Sequence, residues 1–183
     1  MAIGLSGKRV LVLGAETEIG RAVVTAVAEA GASVAAVAAT SDAEVAFVVQ
    51  RLARRLSSGR RKVIAQAIDA TNEAAVRVMV RQVSKELGGL NAVVFCGDGG
   101  DDTFDAMRLT HRLGSREVEK SGGGRIILAP RGLPRGLSGG IYELLHVGAP
   151  PVTETLNVPT LGRTDDEVTV DIVRAIADEA ESG

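Results

Sequence analysis

The chain has 183 residues, 45% of them hydrophobic and 24% charged, with a formal net charge of −2. That is the size and make-up of one globular domain with a single sizeable core, and it carries no charge excess that would attract nucleic acid or an anionic membrane. Three Phe, one Tyr and no Trp leave too few rings for base stacking, and the lone Cys96 excludes an internal disulfide or a Cys-rich metal site.

Apolar runs of strand length alternate with segments of helical period, the pattern of βαβ units around a parallel sheet. The first strand is expected at about 8–13. It runs into Gly14-Ala15-Glu16-Thr17-Glu18-Ile19-Gly20, a strand–turn–helix of dinucleotide-binding outline. Gly14 makes the tight turn and Gly20 allows close helix packing. Between them, where a glycine would let a pyrophosphate approach, stands Glu18, an anion placed where helix amides would otherwise attract phosphate. A helix over 18–30 is ended by Gly31 and followed by a strand at Ser33–Ala38.

A helix over Asp42–Leu56 and a strand over Lys62–Ala67 come next. Then a helix begins at Thr71 with the stripe Val76, Met79, Val80, Val83 and Leu87. A fourth strand covers Asn91–Cys96, a helix covers Thr103–Lys120, and a fifth strand covers Arg125–Ala129. After a loop over Pro130–Gly140, a sixth strand is expected at Tyr142–Val147 and a final helix at Asp165–Glu181. The reading is one α/β domain over 1–183, a doubly wound, Rossmann-like parallel sheet of about six strands.

Gly7 to Gly14, Asp69 after strand three, Gly122 to Leu128, the loop Pro150–Thr155 and Leu161–Val168 occur in the order in which the short-chain dehydrogenase/reductase family places its motifs, and the chain resembles that family along nearly its whole length. The resemblance implies nucleotide contacts, in vestigial form, at Gly14, Ile19, Gly20 and Asp69. It also implies that the chemistry-bearing positions have changed. The family's Asn-Asn-Ala-Gly is replaced by Phe95-Cys96-Gly97-Asp98, the cofactor-selecting acid or Arg falls on Ala38 and Ala39, and strand five ends Ala129-Pro130-Arg131 with no serine hydroxyl.

The family's acid is a Tyr four residues before a Lys. Here Tyr142 is followed at that spacing by His146. In one reading Tyr142 is the acid and His146 replaces the lysine. In the other Tyr142 begins strand six, because too few residues separate it from Pro150 for a catalytic helix and a strand. The second reading implies that the catalytic helix and the last family strand are missing, which would uncover apolar surface on strands four and five and on the helix Thr103–Lys120.

Among the remaining residues, Cys96 reads as a buried structural thiol, and His111 and His146 have no metal-ligand spacing. The acidic run around Asp98, Asp101 and Asp102 lacks a regular cation-ligand pattern. Arg51, Arg54, Arg55, Arg60, Arg61 and Lys62 read as a solvated helix end and turn, with an anionic partner as the other reading. The acids of the last helix read as a solvated outer face.

The function expected is that of a non-catalytic, cytoplasmic subunit working with a full-length homologue or a second copy. It has no cofactor of its own, no metal, and neither nucleic acid nor membrane as a partner. Two alternatives stand beside it: an active NAD(P)-dependent oxidoreductase using Tyr142 and His146, and a binding module for another small ligand in the cleft.

Overall fold

A computed structural model describes residues 3–131 and 153–178. The elements are β1 (Arg9–Leu13), α1 (Glu18–Glu29), β2 (Ser33–Ala38), α2 (Ala43–Leu56), β3 (Val63–Ala67), α3 (Glu73–Leu87), β4 (Ala92–Gly97), α4 (Thr103–Lys120), β5 (Gly124–Pro130), β6 (Thr153–Asn157) and α5 (Asp165–Ala177). The six strands are parallel in the order β3-β2-β1-β4-β5-β6.

Strand side chains alternate between two cores. Val10, Val12, Val94 and Ile127 face the layer of α1, α2 and α5, while Leu11, Leu13, Val93 and Ile126 face α3 and α4. Burial on both faces explains why these strands read as continuous apolar runs. Helix starts follow from short polar side chains. Thr17 accepts from the Gly20 N–H at 3.0 Å, Asp42 from Glu44 and Val45, and Asn72 from Ala75. Thr164 and Glu167 form a capping box at α5. The helix expected from Thr71 therefore starts two residues later, because Thr71 is engaged with Asp69 and Asn72 takes the cap.

Two expectations are corrected. The sixth strand of the sheet is Thr153–Asn157, paired with β5 from Gly124↔Thr153 to Leu128↔Asn157. Part of the stretch aligned with a loop after strand six is thus the strand itself, and Tyr142–Val147, where that strand was expected, lies outside the described residues. β6 was hidden because it is an edge strand reading Thr-Glu-Thr-Leu-Asn, with only Thr153 fully buried. It has no apolar run to register.

The second correction concerns apolar surface. Val93, Val94, Phe95, Ile126, Ile127, Leu128 and Ala129 are at most 2% exposed, and the large apolar side chains of α4 at Met107, Leu109, Leu113 and Val118 are buried too. The bare face expected over β4, β5 and α4 is not there. Among the described residues the exposed large apolar side chains are Phe47, Val48, Val78, Leu161 and Val170.

Candidate functional site

Strand order reverses between β1 and β4, and the carboxyl ends of the strands open there into a cleft, the place where open α/β sheets hold ligands. The β1–α1 turn is its back wall. Gly14, at φ +90°, donates its N–H to the Val37 carbonyl at 2.9 Å. A Cβ there would lie 1.8 Å from the Cys96 carbonyl oxygen, and one at Gly20 would lie 1.9 Å from the Gly14 carbonyl oxygen. Both positions need glycine for close backbone approach. Ile19 is buried in the core behind the turn. Of the four residues expected at a nucleotide site, Asp69 lines the cleft, and Gly14, Ile19 and Gly20 build the frame behind it.

The cleft encloses about 310 Å³ and is lined by Glu16 and Thr17 from the turn, Ala39 to Ser41 after β2, Asp69 and Thr71 after β3, Phe95 to Asp98, Gly100 to Asp102 in the following loop, and Thr103 and Ala106 of α4. The carboxylate that enters it is Glu16, not Glu18. Glu18 is exposed on the first turn of α1. Glu16 turns inward, and its Oε2 accepts the Ala39 N–H at 3.0 Å. Burial raises its pKa, the nearby Asp98 charge adds to the rise, and hydrogen bonds from the Glu16 and Ala39 amides oppose it. Both glutamates stood in the turn sequence, but spacing alone does not say which of two neighbours points inward.

Five carboxylates line this cleft (Glu16, Asp69, Asp98, Asp101 and Asp102), with no Lys, Arg or His among the described lining residues. Asp69 is held below the usual carboxylate range by the Thr71 hydroxyl, at 2.6 Å, and the Thr71 N–H. The Cys96 thiol is buried and pushed up to about 12, first by burial and then by the charges of Glu16 and Asp165. A thiol so far from ionising is no nucleophile. At the end of β5, Arg131 pairs with Asp165 at 2.5 Å and donates to the Arg163 carbonyl. The Thr160 hydroxyl donates to the Pro130 carbonyl at 2.9 Å.

His111 is a structural residue: it is 3% exposed, and its Nε2 hydrogen-bonds the Thr155 hydroxyl of β6 at 2.8 Å. Tyr142 and His146 lie outside the described residues. Among the described residues, no group of three or more His, Cys, Asp or Glu side chains is placed to hold a metal ion. None of the described helices is long and apolar enough to cross a membrane.

Comparison with known proteins places this arrangement. The family profile described as short chain dehydrogenase matches residues 8–127. The chain belongs to the short chain dehydrogenase family. A short-chain type dehydrogenase/reductase from Mycobacterium ulcerans is 25% identical with a TM-score of 0.60, over 69% of this chain and 52% of that one. One from Mycobacterium marinum is 32% identical with a TM-score of 0.53, over 70% and 57%. A short chain dehydrogenase from Mycobacterium smegmatis, 21% identical with a TM-score of 0.72 over 96% and 88%, shares the fold.

Among curated proteins, glycine betaine reductase ATRR of Emericella nidulans is 38% identical over 92 residues, which are 50% of this chain and 7% of that protein. The chain thus spans a small part of that relative and about half of the Mycobacterium ulcerans protein.

Short chain dehydrogenases normally bind NAD(P). In this member the backbone frame for a dinucleotide is intact and the lining does not suit one. The Ala39 N–H is occupied by Glu16, Ala38 and Ala39 offer a ribose no side-chain hydrogen bond, and the carboxylates meet a pyrophosphate with like charge.

Proposed function

We propose that this short chain dehydrogenase is a non-catalytic, cytoplasmic member of its family that serves as a subunit of an NAD(P)-dependent oxidoreductase assembly, beside a full-length homologue or a second copy of itself. The observation that carries the reading is the charge of the cleft, five carboxylates and no cationic side chain among its described lining residues, where relatives of this family hold a dianionic dinucleotide. The end of β5 supports it. Where the family's serine belongs the chain has Pro130 and Arg131, and Arg131 is committed to Asp165.

Calorimetric titration with NADH and NADPH tests the reading. The expected dissociation constants are on the order of 1 mM or weaker, and a low-micromolar value for either would overturn it. Carbonyl reduction and alcohol oxidation should stay at background, since a positioned acid–base group normally supplies about 10²–10⁴-fold.

A second reading, an active oxidoreductase, draws on one observation. With β6 at Thr153–Asn157, Tyr142 is no longer required to begin a strand. Its test is a turnover that Tyr142→Phe abolishes without unfolding the protein.

A further inference from the structure

Four of the five exposed large apolar side chains among the described residues, all but Val78 on α3, lie at two places of opposite charge. On α2, Phe47 and Val48 are 56% and 45% exposed, and the Arg51 guanidinium lies 5.9 Å from the centre of the Phe47 ring. Beside them α1 and α2 enclose a groove of about 420 Å³ with Val48 and Leu52 as its apolar part and Arg21, Arg51, Arg54 and Arg55 around it. None of these four arginines has an acidic partner among the described residues. Four like charges crowded on one groove repel one another in the isolated chain and favour an anionic occupant.

The other place lies before and along α5. Leu161 is 91% exposed, the highest among the exposed large apolar residues, and Val170 on the helix is 46% exposed. Between them the first turn of α5 carries Asp165, Asp166 and Glu167. Asp165 is spent on Arg131, whereas Asp166 is exposed and has no cationic partner among the described residues. The hydrogen bonds from Thr164 keep the Glu167 carboxyl below its ordinary range, so it is charged at neutral pH.

The geometry points to a second copy of this chain as the occupant of the α1–α2 groove, presenting Leu161 to the apolar part and Asp166 and Glu167 to the arginines. α1 packs between α2 and α5 in one helical layer, so groove and acidic turn sit on opposite sides of α1 in the same molecule. The contact is therefore between copies. It joins two different surfaces, and repetition closes a ring or builds a chain of subunits. It rests on the reading that this protein works within an assembly, and it names the surface that does the assembling.

Light scattering after size exclusion tests the contact on the full chain. Association should rise with protein concentration at low salt and weaken at least tenfold near 1 M salt, where the Debye length is about 3 Å. A groove variant, Arg51→Glu with Arg55→Glu, and a turn variant, Leu161→Ser with Asp166→Lys, should each be monomeric, with melting curves showing that both fold. Mixing them leaves one good groove and one good turn, so the mixture should form dimers and nothing larger.

The contact is overturned by a wild type that is monomeric at low salt, by a groove variant that assembles like the wild type, or by a mixture that stays monomeric. Binding of the wild-type groove to an acidic peptide or to anionic vesicles without self-association overturns it in favour of that partner. None of these outcomes alters the cofactor titration, on which the functional reading stands or falls separately.

Discussion

At the residue scale the turn after β1 holds most of the site's consequences. Gly14 and Gly20 each face a backbone oxygen within 2 Å of where a Cβ would stand, and neither oxygen belongs to a side chain that could swing away. Gly14→Ala adds an unfavourable φ to the clash. Each substitution should cost about 3 kcal/mol in a urea titration, and a loss well under 1 kcal/mol would show that the turn is looser than described.

Glu16 yields a prediction with a definite sign. Its carboxyl holds a proton more tightly in the folded state, so the stability it contributes is complete below the ordinary carboxylate range and is lost as pH rises through the raised value. Glu16→Gln should therefore match the wild type in acid and exceed it at neutral pH, read from thermal midpoints across the range. If the difference does not grow with pH, burial of the charge is not what the site pays for. Glu16→Ala should strengthen NADPH binding at least tenfold, because it removes a carboxylate from the cleft and frees the Ala39 amide.

At the element scale β6 is the informative piece. It is tied to the sheet by its ladder with β5, to α4 by the His111–Thr155 hydrogen bond, and by the Arg125–Glu154 ion pair at 2.8 Å. Thr155→Val removes a partner of a buried imidazole and should cost about 1 kcal/mol. The loss should appear as faster amide exchange in β6, with β1, β2 and β4 unchanged. Uniform acceleration across the sheet would mean that β6 does not open separately.

At the scale of the whole molecule, cohesion is graded. β1, β2 and β4 lie centrally between two apolar cores, and β6 and α5 close the far side. Native-state hydrogen exchange should find the slowest amides in the central strands and lower opening free energies in β6 and α5. Equal protection from β3 to β6 would contradict this. Charge is also segregated: acids line the cleft and open α5, arginines ring the α1–α2 groove, and the total is only −2. Net charge conceals both features.

What the sequence determined by itself was the part of the fold that burial on both faces makes obligatory. β2 at Ser33–Ala38 and α4 at Thr103–Lys120 were legible to the residue, and the other central elements to within a residue or two, because their apolar runs and caps leave one arrangement. Gly14 and Gly20 were legible for the same reason, since a close backbone approach admits no other residue. The tertiary structure alone decided the rest. β6 has too little apolar surface for its own pattern to announce it and is a strand because β5 offers it an edge. The choice of Glu16 over Glu18 depends on which side chain finds the Ala39 amide, a residue 23 positions away. The solvated helix end read from Arg51, Arg54 and Arg55 becomes one wall of a groove only when α1 brings Arg21 alongside it. Local periodicity records burial. It does not record which distant groups share a surface.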